Sequence, residues 1–102
     1  MASRLELHEE LCELLGSRNV YFQPPESVKM TYPCIKYSRS GIDQKYAHDR
    51  DYKNTNRYEI IAITPDPDSK TPDRILAHFQ MCRFDRGYIA DNLNHNVFTL
   101  YY

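Results

Sequence analysis

Ile60-Ile61-Ala62-Ile63 is the longest unbroken apolar run in the chain. Polar residues flank it, and Pro65-Asp66-Pro67-Asp68 closes it with a tetrad of turn formers. A short, β-branched run bounded in this way predicts a strand over residues 57–64. A membrane-spanning helix needs roughly 20 apolar residues, so this run crosses nothing. Everything else in the 102 residues must fold around short elements of this kind. The length suits one domain, 1–102, with a modest single core.

The surrounding elements read from local signals. Ser3 and Glu6 form a Ser-x-x-Glu capping box. Leu7, Leu11, Leu14 and Leu15 then recur at helical spacing, with Leu5 and Cys12 on the flank and Gly16 as the stop. This predicts a helix over about residues 4–15. Its apolar positions are interrupted by Glu6, Glu9, Glu10 and Glu13, so it has no secretory apolar core. Val20-Tyr21-Phe22 reads as a strand that ends at Pro24-Pro25, and residues 32–37 as a second strand.

Residues 38–54 show neither period and predict a long polar loop or a hairpin extension. Thr71-Pro72-Asp73 reads as a helix start with Thr71 as N-cap. Residues 84–90 and 95–102 read as two strands joined by Asp91-Asn92-Leu93-Asn94. The expected fold class is α+β: an N-terminal helix, a mostly antiparallel sheet of about five strands and a second short helix, in the order α-β-β-β-α-β-β. The last strand is expected at the sheet edge, where a neighbouring chain would cover it.

Catalytic and metal chemistry find little purchase. Cys12, Cys34 and Cys82 are odd in number and lack a Cys-x-x-Cys pair, so they read as reduced, replaceable thiols. His48, Asp49 and Asp51 have metal-ligating types but lie where nothing imposes geometry, and Arg50 adds a repelling charge. Asp66 and Asp68 lack the Gly and terminal Glu of a calcium loop. Cys82, His95 and Asp91 supply the types for nucleophilic catalysis without an oxyanion-hole sequence, and His95 reads instead as a turn hydrogen-bonding residue. The expectation is no enzyme activity and no cofactor.

Two other features point to association. The chain has nine Tyr and four Phe but no Trp, and Tyr serves strands and protein interfaces alike. Charge is also unevenly placed within a net of −1. The first sixteen residues hold one base against four acids, whereas residues 36–57 hold six bases against three acids, with Tyr37, Tyr46 and Tyr52 among them. Such a stretch suits an acidic protein surface or a nucleic-acid strand.

The stretches YPCIKYSRSGID, RYEIIAITPDPDS and MCRFDRGYIADNLNHNVFTLYY resemble small tail-completion proteins of tailed bacteriophages. The order of elements is similar to that of the phage tail terminator family. The resemblance implies a structural virion protein that forms a ring, typically a hexamer. Such a ring caps the tail tube and joins it to the neck, with genomic DNA only passing through the lumen. It implies assembly in the host cytoplasm, partners among tube and neck proteins, no membrane and no catalytic residues. The chain is shorter than many terminators and its loop longer than a minimal member needs, which leaves open another neck role, such as head completion or connection. A nucleic-acid-binding accessory protein using residues 36–57 is the alternative of a different class. The candidate contact residues are Arg39, Lys45, Tyr46, Arg50, Tyr52, Lys53, Tyr101 and Tyr102, with the 38–54 segment as an arm reaching a neighbour or the tube.

Overall fold

The computed structural model describes residues 3–46 and 52–102, with side chains described for 3–42 and 55–102. The first helix, α1, spans Arg4–Leu15. Ser3 caps it by accepting from the Glu6 amide at 3.2 Å. Gly16, at φ 83°, ends it by donating its own amide to the Cys12 carbonyl at 2.9 Å. That left-handed conformation is one glycine adopts without steric cost.

Strand β1 is Val20–Phe22, β2 Cys34–Tyr46 and β3 Tyr52–Thr64; helix α2 is Thr71–His78; β4 is Cys82–Ala90 and β5 Leu93–Tyr101. The five strands form one sheet in the order β1-β2-β3-β5-β4, with β1 parallel to β2 and every other pair antiparallel. The fold is α+β with the expected element order.

Both helices cover one face of the sheet. Leu7, Leu11 and Ile75 from the helices pack on Ile35, Tyr37, Tyr58, Ile60, Ala62, Phe98 and Leu100. Burying an aliphatic side chain of this size contributes about 1.5–3 kcal/mol. On the opposite face a smaller cluster joins Cys34, Ile61, Ile63 and Val97, with Tyr21, Met30 and Leu93 packed against it. The unbroken apolar run thus has a physical cause. Its odd and even members face different apolar layers, so none of the four can be polar.

Several local expectations need correction. Of the two readings of 38–54, loop or hairpin extension, the described residues show the hairpin: β2 runs on to Tyr46 and β3 begins at Tyr52, with Lys45↔Lys53 and Tyr46↔Tyr52 as register partners. The composition of this extension carries no strand period, although its backbone pairs rung by rung. The second strand starts at Cys34, after a cis Tyr32–Pro33 bond. Lys70, not Thr71, is the N-cap of α2, and Thr71 is instead buried in its first turn. The last hairpin turns on Asp91 and Asn92 alone. Both have positive φ, 52° and 61°, as a two-residue type I′ turn requires. β5 therefore begins two residues closer to that turn than expected, at Leu93, whereas β4 ends at Ala90 as expected and begins earlier, at Cys82.

The final strand is also not at the edge. β5 lies between β3 and β4 because its alternate residues Phe98 and Leu100 belong to the helix-covered core. The edges are β1 and β4.

Candidate assembly interface

The ladder between β2 and β3 slips by one residue between Arg39 and Gly41, leaving Ser40 as a bulge. Arg57 clasps it. Its Nε donates to Ser40 Oγ at 3.3 Å, its Nη2 to the Ser40 carbonyl at 3.4 Å, and Ser40 Oγ donates to the Arg57 carbonyl at 3.1 Å. The guanidinium occupies the space a Cβ on Gly41 would take, so a larger residue there would displace Arg57 from this clasp.

β5 accompanies β3 only from Arg57, opposite Tyr101, to Thr64. Beyond that rung β2 and β3 continue alone, from Ile42↔Asn56 to Tyr46↔Tyr52. This two-stranded arm carries the ladder ~16 Å past the sheet. It helps give the described chain its elongated extents of 51 × 27 × 23 Å. Ile42, at its base, is 51% exposed.

The proposed contact residues fall into three groups. Arg39 is exposed at the base of the arm, its amide donating to Gln23 Oε1 at 3.3 Å. The backbones of Lys45, Tyr46, Tyr52 and Lys53 form the outer rungs, and their side chains, like the whole of Arg50, lie outside the described residues. His48, Asp49 and Asp51 lie outside them too. Tyr101 is half-buried at the arm's root. Tyr102 is tied inward: its amide donates to the Asn56 carbonyl at 3.0 Å, and its hydroxyl donates to the Glu10 carboxylate.

Sequence reasoning missed the polar straps that hold α1 to the sheet. Glu10 joins Tyr102 to His78 Nε2, which lies 2.8 Å from Glu10 Oε1. Tyr37 accepts from Arg4 Nη1 at 3.3 Å, and its hydroxyl lies 2.8 Å from His8 Nδ1. Arg4 also lies over the Phe22 ring, 4.3 Å from its centroid. These contacts are distant in sequence, and no local period announces them.

The straps make α1 docking pH-dependent. Burial, followed by the nearby Arg4 and Arg18, lowers the His8 pKa from its ordinary 6.5. Burial acts to raise the Glu10 pKa, but the hydrogen bonds from Tyr102 and His78 outweigh it, and the net direction is down. A lowered histidine means the folded state favours the neutral ring, so stability falls as pH drops below the unfolded value. A lowered carboxylate likewise contributes stability above its unfolded value and loses it in acid. Burial raises the Tyr37 and Tyr102 pKa values, so their contribution is lost as pH climbs above the ordinary tyrosine value of ~10. Thermal midpoints should be level between about pH 7 and 9 and fall on both sides. His8→Gln should flatten the first part of the acid limb, between about pH 7 and 5. An unchanged limb in that variant refutes the assignment.

The sequence's candidate nucleophile is not assembled. Cys82 opens β4 opposite Leu100, whereas His95 lies at the other end of the hairpin, stacked on Tyr88 at 4.7 Å with Nδ1 bonded to the Leu93 carbonyl at 3.0 Å. Burial pushes the Cys82 thiol up to about 11, away from thiolate chemistry. Cys34 is likewise pushed up to about 11 by burial, and all three cysteines are free. Among the described residues no three His, Cys, Asp or Glu converge as a metal site. No helix among them is long and apolar enough to cross a membrane. No protein-family model matches the chain, and no curated protein matches it significantly.

Proposed function

We propose that this chain is a structural virion protein of a tailed bacteriophage, a tail-terminator-type subunit whose ring caps the tail tube and joins it to the neck. In this reading it is not an enzyme and takes no cofactor. Its partners are further copies of itself, most simply six, with the tube and neck proteins on either side. The observation that carries the reading is the arm. A two-stranded ribbon is marginally stable by itself in water, and this one continues for five rungs beyond its last supporting strand. The stretch is basic in sequence, with Lys45 and Lys53 as register partners. A partner with acidic groups suits this composition and supports the ribbon. Glu6, Glu9 and Glu13 are exposed on α1, so a neighbouring copy offers such a surface.

Head-to-tail contacts of arm on helix generate a closed ring when the rotation closes. The test is mass under native conditions, with and without purified tail tubes. A discrete ring, or capture of the subunit on tube ends, is the expected result. A chain that remains small at high concentration and ignores tubes overturns the proposal. A monomer that instead binds oligonucleotides in a salt-sensitive way supports the nucleic-acid alternative.

A further inference from the structure

β4 ends the sheet, and its outer edge has no partner strand among the described residues. Arg83 to Ile89 are exposed throughout. The apolar side chains there are large: Phe84 is 45% and Ile89 75% exposed, and Met81, just before the strand, is 58% exposed. Proteins usually blunt an edge like this with charges or a bulge. β4 has a bulge between Phe84 and Arg86 and carries Arg83, Asp85 and Arg86.

The order of those charges decides between a guarded edge and a sticky one. A guard made of like charges repels a copy of itself. Arg83-Phe84-Asp85 does the opposite: laid antiparallel on itself about Phe84, it sets each Arg83 opposite the Asp85 of the other copy.

We propose that β4 is a contact surface for a second copy of this chain, paired antiparallel about Phe84 so that two five-stranded sheets become one. Arg83 and Asp85 share the face of the sheet that the helices leave open. Arg83 is the register partner of Thr99, whose hydroxyl donates to Asp85, and Arg83 Nε donates to Asp85 Oδ1 at 2.8 Å. Across the twofold axis the two ion pairs combine into a four-charge cluster of alternating sign. On the other face Phe84 meets Phe98 edge-on, with ring centroids 5.6 Å apart and planes at 75°, and the exposed remainder of its ring meets Phe84 of the second copy. Main-chain hydrogen bonds along the joined edges supply affinity, as in strand addition generally. This isologous contact uses neither the arm nor α1, so it does not rest on the ring reading.

The test uses two full-length variants, Arg83→Asp and Asp85→Arg, each checked for a native thermal transition. Sedimentation across a concentration series follows association. Each variant alone opposes like charges at both ends of the contact, and its β4 association should weaken by roughly 100-fold. Mixed one to one, the variants should associate with each other at close to wild-type strength, because an all-acid strand then meets an all-base strand. The pair's role within one subunit predicts no rescue on mixing. Folded variants that fail to rescue, single variants that associate as tightly as wild type, or a wild type without any β4-dependent association each overturn the proposal.

Discussion

A chain in which residues 42–56 are replaced by an Asn-Gly turn should fold and fail to assemble. Gly41 and Arg57 are register partners, so a two-residue type I′ turn joins them without altering the sheet below. The Ser40 bulge and its Arg57 clasp remain in place. Among the described residues of this stretch, Ile42, Thr55 and Asn56, none belongs to either core cluster. The backbone bond from the Tyr102 amide to the Asn56 carbonyl is lost with the stretch. Loss of one such bond contributes about 0.5–1.5 kcal/mol, so the thermal midpoint should fall by no more than roughly 10 °C. Assembly should disappear altogether: no ring by native mass, and no retention on tail tubes. Rings of normal mass that still cap tubes would reduce the arm to a solvated ornament and remove the main support for the proposed role.

The largest loss of stability should come from Phe98→Ala. Phe98 has no exposed surface and sits in the centre of the helix-covered core. Removing a buried phenyl ring costs about 3–5 kcal/mol through lost transfer energy and the cavity left behind. Against a total of about 5–15 kcal/mol, that is a large share. A midpoint drop of roughly 15–25 °C or more is expected. Phe84→Ala is the matched control. Its ring touches Phe98 but is 45% exposed, so its loss should cost about 1 kcal/mol. Equal losses for the two variants would contradict the placement of β5 inside the sheet.

The contrast between those phenylalanines marks where sequence reading succeeds and where it stops. Signals within a few residues were legible. The Ser3–Glu6 box and Gly16 gave both ends of α1, and the Ile60–Ile63 run with its Pro-Asp tetrad gave the heart and the end of β3. The arm was legible only as one of two readings, loop or hairpin extension, because residues 38–54 show no alternation that decides between them. Strand order was equally hidden. Phe84 and Phe98 have the same local signature, and only the pairing of β5 with β3 buries one and exposes the other. The site fared in the same way. Arg39 was a candidate only through the basic composition of residues 36–57, and the Arg57 clasp and the Glu10–Tyr102–His78 strap depend on contacts that no local signal announces.

The position of β5 has a consequence for biosynthesis. A ribosome delivers β3 early, yet the strand that covers β3's far side arrives only after α2 and β4 have been made. At roughly 5–20 residues per second, the interval lasts on the order of seconds. Until β5 docks, Ile60, Ile61 and Ile63 lack the neighbouring strand that completes their two apolar layers. On a polysome many such chains lie close together, each with the same adhesive segment. Keeping neighbouring chains apart until β5 has docked should therefore raise the yield of usable subunit, independently of how stable the finished fold is.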